Sequence, residues 1–518
     1  MSSSDSEAPK LYAAREPIFP RRVSGRFRNL KWIIMIVTLG IYYVTPWIRW
    51  DRGPQLPDQA VLIDLANRRF FFFWIEIWPH EFYFVAGLLI MAGLGLFLFT
   101  SALGRVWCGY ACPQTVWTDL FILVERWIEG DRNARLRLHR QKKLDFRKAR
   151  LRLTKWITWL LIAVATGGAW VFYFADAPTL LVDLFTLNAH PAAYTTVAIL
   201  TGTTFFFGGF AREQICIYAC PWPRIQAAMM DEETLTVAYR AWRGEPRGKH
   251  NVRRASVKAA EAAEEATHAA GGDGPPRYAP TPKPNAPGGV RPEDMEQETG
   301  DCIDCMACVN VCPMGIDIRE GQQLECITCA LCIDACDDVM AKIGKPRGLI
   351  DYIALSDEER ERAGGAPKPV WKHIFRPRVI LYTTLWALVG LGLLFALFIR
   401  PEIEMTVAPE RNPINVILSD GSVRNTYDVR LLNKHGEDRP FRISLTGHPQ
   451  LRVQLEGTPY ETVTVPANET YLQRVYVIAP PNSGPAVSER TEFRFWVEDL
   501  TNAERAHNDT VFFGRDIQ

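Results

Sequence analysis

Cys302-Ile-Asp-Cys305-Met-Ala-Cys308-Val-Asn-Val-Cys312-Pro313 and Cys326-Ile-Thr-Cys329-Ala-Leu-Cys332-Ile-Asp-Ala-Cys336-Asp337 repeat one spacing, C-x2-C-x2-C-x3-C. Thiolates are soft ligands that suit iron–sulfur clusters. At this spacing three cysteines of a run wrap three corners of a cubane, and the fourth reaches the neighbouring cluster. Cys302, Cys305, Cys308 and Cys336 are therefore expected to hold one [4Fe–4S] cluster, and Cys326, Cys329, Cys332 and Cys312 a second. A zinc site usually joins two close ligands to two distant ones, which this doubled run does not do. Asp337 stands where the first run has Pro313, and an acidic neighbour lowers a cluster's potential.

The other four of the twelve cysteines lie in a second duplicated pattern, Cys108-Gly-Tyr-Ala-Cys112-Pro113 and Cys216-Ile-Tyr-Ala-Cys220-Pro221. Each copy follows an apolar run. Cysteines four apart on a helical turn share a face, so a pair from each copy can converge on one four-thiolate site near a membrane surface. Such a site would suit Cu(I), another iron–sulfur centre or a reversible disulfide. Inert cysteines buried in tight turns are the plainer alternative, and repetition of both cysteines and the proline argues against it. His80 and His190 precede the same two runs and read as interfacial or capping residues.

Five apolar runs, Leu30–Ile48, Phe82–Ala102, Trp156–Phe174, Tyr194–Phe210 and Val379–Ile399, approach the roughly 20 residues that cross a bilayer. Phe70–Trp78 is too short to cross and reads as an interfacial segment. Lys10, Arg15, Arg21, Arg22, Arg26 and Arg28 precede the first run, and Lys and Arg are dense from Arg126 to Lys155, whereas 175–193 has neither. The positive-inside rule then places the N-terminus and the second–third loop in the cytoplasm. Residues 401–518 fall on the opposite side. The first apolar run starts too late for a cleaved signal and reads as an anchor. Every cysteine lies on the side assigned to the cytoplasm, where thiolates survive, and the exported tail has none. Formal net charge is +1, which gives no reason to propose nucleic acid as a partner. Membrane lipid is the expected one, with Arg126–Arg152 read as a basic amphipathic helix on anionic headgroups.

The expected organisation is a tail (1–29), a membrane domain with four transmembrane helices and both C-x3-C-P motifs (30–255), a flexible Ala/Glu- then Pro/Gly-rich linker (256–299), a two-cluster domain (300–352), a connector (353–378), a fifth transmembrane helix (379–399) and a β-rich domain (400–518). In the last, Tyr427-x-Val429-x-Leu431, Phe441-x-Ile443-x-Leu445, Leu451-x-Val453-x-Leu455 and Phe493-x-Phe495-x-Val497 alternate between turn signals, the pattern of an antiparallel sandwich of about seven strands. The fold class is thus a membrane α-helical bundle of five transmembrane helices, with a cytoplasmic ferredoxin-like α+β insert and a C-terminal all-β immunoglobulin-like sandwich.

The stretch 300–352 resembles the bacterial two-cluster ferredoxins. The whole order of parts resembles the cytochrome c oxidase accessory proteins of the CcoG/RdxA/FixG family, down to Gly104-Arg-Val-Trp-Cys-Gly-Tyr-Ala-Cys-Pro-Gln-Thr-Val-Trp117 and Cys216-Ile-Tyr-Ala-Cys-Pro-Trp-Pro-Arg-Ile-Gln226. That resemblance implies a multi-pass protein of the bacterial inner membrane, with a periplasmic C-terminal domain and a role in maturing cbb3-type oxidase. It also implies cupric reductase activity, with copper, a cytoplasmic electron donor and oxidase assembly factors as partners. Copper comes from the resemblance alone. Two other functions fit the residues: a quinol-dehydrogenase-type electron relay, and a non-enzymatic iron–sulfur scaffold or redox sensor.

Overall fold

The computed structural model describes residues 17–53, 56–248, 300–401 and 403–515. The expected linker at 256–299 lies outside them, as does most of the 1–29 tail. Two compact units are present, one of residues 1–48 with 60–391 and one of residues 49–59 with 392–518.

Within the first unit, Arg26–Trp47, Tyr83–Leu103 and Pro377–Phe398 are helices long and apolar enough to cross a membrane. Their side chains are mostly uncovered by protein, as a lipid-facing surface requires. Helices Phe146–Val171 (26 residues) and Pro191–Phe206 (16 residues) lie at the third and fourth expected spans. The first of these opens on a basic stretch, and the second runs on into a π-helical turn at Phe207–Ala211. Small residues let these helices approach closely. A Cβ on Gly167 would lie 2.9 Å from Val197 O, and one on Gly390 would lie 3.2 Å from Met91 Cε.

One sequence expectation changes. Arg126–Arg152 is not one amphipathic helix. Helix Pro113–Glu129 stops at Gly130, whose φ of +89° a glycine adopts freely, and Arg132–Arg140 and Phe146–Val171 follow as separate helices. Several of its cations face protein rather than lipid. Arg132 and Arg135 donate to the carbonyls of Phe19 and Pro20 at 2.7 and 2.6 Å, and Arg135 also meets the buried Glu125 at 2.9 Å. Phe70–Trp78, expected at an interface, contributes strands Arg69–Phe72 and Ile75–Ile77 to a three-stranded antiparallel meander that buries Phe71, Ile77 and Trp78 and leaves Phe73 and Trp74 exposed.

The cluster-binding insert is built from more than residues 300–352. Strand Ile350–Ile353 pairs antiparallel with Thr236–Tyr239, upstream of the 249–299 stretch. Val237 and Tyr239 pack with Cys302, Cys308, Cys336, Met340 and Ile350 in one apolar core. A single short strand has no partner for its backbone groups, so the chain supplies one before it enters the insert.

The second unit is a sandwich of two antiparallel sheets. One has the order Arg452–Leu455, Thr470–Ala479, Val423–Asn433, Ile403–Pro409, with Val416–Ile417 beside Val423–Asn433. The other runs Thr462–Val465, Arg439–Thr446, Thr491–Asp499, Arg505–Phe512. The alternation read from sequence is the burial alternation: Tyr427, Val429, Leu431, Phe441, Ile443, Phe495 and Val497 all lie fully inside. Tyr427 spends its hydroxyl on Val511 O at 2.8 Å, which ties the two sheets together.

Candidate iron–sulfur centres and the membrane-edge cysteines

Each C-x2-C-x2-C-x3-C run forms a loop followed by a helix. Helix Ala307–Val311 follows the first loop and Leu331–Lys342 the second. The two loops curl alike. Asp304 and Met306 in the first, and Thr328 and Ala330 in the second, all have φ between +51° and +60°. Non-glycine residues held there are strained and cluster at functional sites. Amide N–H groups of Thr328 and Val309 reach the sulfurs of Cys326 and Cys308, and those of Met314 and Ile316 reach Cys312.

The eight cysteines line two cavities. One cavity is lined by Cys302, Cys305, Cys308 and Cys336 with Tyr239, Met306, Ala307, Met340, Leu349 and Ile350 among its walls. A second is lined by Cys312, Cys326, Cys329 and Cys332, with Cys308 at its edge. Four thiols and apolar walls around one cavity are the donor set that a cubane requires. Burial pushes the free thiols up, Cys308 and Cys326 to about 11 and Cys312 to about 12, so iron must displace their protons on binding.

The outer and inner sites differ in their surroundings. Of all twelve cysteines, Cys305 alone is exposed. Beside it Arg319 is buried and meets Asp304 and Asp317, each at 2.6 Å. The inner site is closed by the membrane-edge motif. Tyr110 of Cys108-Gly-Tyr-Ala-Cys112 donates to Cys329 O at 3.2 Å, and Tyr352 donates to Thr328 O at 3.0 Å. Gly109 allows this approach, since a Cβ there would lie 2.6 Å from Ile327 O. The second copy has Ile217 at this position. That Gly/Ile difference between otherwise like motifs was readable in the sequence and was missed.

Local rules shape the C-x3-C-P motifs. A residue before proline is driven out of the helical region, and Cys112 and Cys220 both turn extended, with ψ of 129° and 125°. Pro113 then opens the next helix. Cys108 lies in the short helix Val106–Tyr110 and Cys216 in a π-helical turn, Ile215–Ala219; π-turns are frequent at functional sites. Cys108 and Cys216 share one apolar core with Cys312, Cys329 and Cys332 of the inner site. Burial first, then the nearby Cys112 and Cys220, drive the Cys108 thiol up to about 11, against the pull of Arg105. Burial, then Cys112, Cys108 and Cys220, drive Cys216 to about 12. Cys108 Sγ donates to Gln226 Oε1 at 3.1 Å, a buried amide on the helix that follows the second motif. Among the described residues no three His, Cys, Asp or Glu side chains close on a point that would hold a single metal ion. His190 is the N-cap of Pro191–Phe206, its Nδ1 accepting from Ala192 N at 3.2 Å; the side chain of His80 lies outside the described residues.

Paired four-cysteine cavities on a domain docked against apolar helices define an iron–sulfur protein of the membrane ferredoxin class. Comparison with known proteins agrees. Residues 211–273 and 283–355 match a 4Fe-4S dicluster domain, residues 84–132 match a 4Fe-4S binding domain, and residues 393–515 match the immunoglobulin-like fold at the C-terminus of FixG. Protein RdxB of Cereibacter sphaeroides is 66% identical over 99% of this chain and 100% of its own length. Protein RdxA of the same organism is 60% identical over 95% of this chain and 96% of its own. Nitrogen fixation protein FixG of Rhizobium meliloti is 52% identical over 96% of this chain and 92% of its own. The chain belongs to the FixG/RdxA/RdxB family of iron–sulfur proteins.

Proposed function

We propose that the protein carries electrons from its solvent-facing outer site to the membrane-edge cysteine quartet, where Cu(II) is reduced to Cu(I) for delivery to a cbb3-type oxidase. The observation that carries this reading is the shared apolar core of Cys108 and Cys216 with Cys312, Cys329 and Cys332. Bound clusters supply one-electron redox chemistry, which matches the one-electron Cu(II)/Cu(I) couple. The chain's own residues give the path its direction. Exposed Cys305 opens the outer site to a donor in the cytoplasm. Tyr110, Gly109 and Tyr352 close the inner site against solvent and press it to the quartet. The quartet thiols favour soft Cu(I) over Cu(II). Copper is in this reading a substrate that passes through the quartet.

In this reading helices Phe146–Val171 and Pro191–Phe206 also cross the bacterial inner membrane. That gives five spans, a cytoplasmic insert and a periplasmic sandwich. The test is anaerobic: reduced protein mixed with Cu(II) produces Cu(I), and the Cys108→Ser/Cys216→Ser variant, its irons retained, does not. Undiminished Cu(I) production by that variant overturns the reading. A second reading is a third iron–sulfur centre on the quartet, favoured by the 4Fe-4S match over residues 84–132, which contain Cys108 and Cys112. It requires about twelve irons per chain, against about eight for two cubanes.

A further inference from the structure

The first membrane helix, Arg26–Val44, begins at Gly25, which has no side chain to bond the orphaned amides of the first turn. An N-cap Ser, Thr, Asp or Asn would ordinarily do so. Here the cap comes from far along the chain. Asp334 accepts from Arg28 N at 2.7 Å through Oδ2 and from Phe27 N at 3.3 Å through Oδ1. The carboxylate is buried. It faces the positive end of the helix dipole, where an anion is stabilised. Gly25 is what admits it, since a Cβ there would lie 2.2 Å from Asp334 Cγ.

Asp334 sits on helix Leu331–Lys342 between Cys332, a ligand of the inner site, and Cys336, a ligand of the outer one. Its bond to the membrane helix therefore acts on the element that joins both clusters. Val23, just before that helix, packs into the core shared by Cys108, Cys216 and the inner-site cysteines, and Arg21 N bonds Asn310 O at 2.8 Å. We propose that Asp334 is a positioning residue: by capping the first membrane helix it holds the inner cluster loop in register against the membrane-edge cysteines. Its effect is on transfer from the inner site to the quartet, not on cluster binding. This rests on the proposed route of electrons to the quartet.

The contact can be broken from either side, with Asp334→Ala in the insert and Gly25→Ala in the membrane unit, in full-length cluster-loaded protein. Both variants are expected to keep the wild-type iron content. Both should reduce ferricyanide, which takes electrons at the exposed outer site, at the wild-type rate. Single-turnover reduction of Cu(II) should slow about tenfold, and amide exchange at Phe27, Arg28 and Cys329 should quicken about tenfold, the scale of losing one cap. Asp334→Asn, which keeps an acceptor oxygen, should stay within about threefold of wild type on every readout. Wild-type copper rates in both alanine variants despite faster exchange would overturn the proposal, because the cap would then be structural only. Loss of iron from both would overturn it too, because the contact would then serve folding of the insert. If wild-type protein does not reduce Cu(II), the functional reading fails and the exchange measurement decides positioning alone. Unchanged exchange at Cys329 in Gly25→Ala then counts against it.

Discussion

The outer and inner cluster sites are written with the same four-cysteine spacing, yet one faces solvent and the other faces the membrane domain. Cys305 is exposed at the first, and Met306 beside it is 39% exposed. At the second, Cys329 is buried, Ile327 is 3% exposed, and the loop backbone touches Gly109 and Tyr110. The ligands are equivalent; what docks against each loop is not. In the proposed function, two like centres serve as the two ends of a route because one is covered by the membrane-edge motif and the other is left open.

Removing one ligand from each end gives the largest expected effect. Cys329→Ala should lower iron from about eight to about four per chain and lower Cu(II) reduction at least about a hundredfold, while ferricyanide reduction through the remaining cubane persists. Cys305→Ala should abolish ferricyanide reduction as well. Similar behaviour of the two variants toward both oxidants would erase the distinction between the sites.

The ion pairs beneath the inner site come next in size. Glu125 is buried between Arg212 at 2.7 Å and Arg135 at 2.9 Å, and Asp119 is buried 2.9 Å from Arg28. Burial alone would raise both carboxyls, but Arg212, Lys155 and Arg135 around Glu125, and Lys31 and then Arg28 around Asp119, hold them below the usual carboxylate range. Their contribution to stability is therefore present at neutral pH and is lost as pH falls below about 4, through the lowered folded values. Glu125→Ala leaves buried cations unpaired and should cost about 3–5 kcal/mol, read as a drop in thermal stability in detergent. The acid sensitivity of stability should shrink with it, and an unchanged acid limb would mean that these pairs do not bear on the unit's stability.

Gly109→Ala is the smaller and sharper probe. The added methyl meets Ile327 O and the Cys329 backbone, an overpacking worth about 1–3 kcal/mol. The expected signature is full iron with faster amide exchange at Cys329 and Tyr110. Ile217→Gly in the other copy removes a side chain from the same core without pressing on the loop backbone, and should change that exchange less. Equal effects of the two substitutions would show that the inner site leans on both motifs alike.

Much of this was legible from residue types and spacing. The extra residue before the fourth cysteine makes an exchange of Cys312 and Cys336 between sites the expectation, and the sandwich follows from alternation at Tyr427, Phe441 and Phe493. The convergence of Cys108 and Cys216 was legible as a duplication. The contacts that orient the insert were not. Asp334 caps a helix about three hundred residues away, and no local pattern marks a cap supplied by another element. Thr236–Tyr239 is too short to declare itself a strand without its partner Ile350–Ile353. The basic stretch after Arg126 was read as a lipid anchor because positive charge near a span usually is one. Arg132 and Arg135 in this stretch bind the carbonyls of Phe19 and Pro20 and the buried Glu125, long-range partners that composition does not reveal.

In the proposed function electrons leave through the inner site to the cysteine quartet. This route is tested most directly by freeze-quench EPR of fully reduced protein mixed with one equivalent of Cu(II), comparing wild type with Cys329→Ala. The account predicts that the Cu(II) signal of wild-type protein disappears as cluster oxidation appears. It predicts that the signal persists in Cys329→Ala although its outer cluster is reduced. Equally fast loss of the Cu(II) signal in Cys329→Ala would contradict it, because copper would then be taking its electron from the outer site.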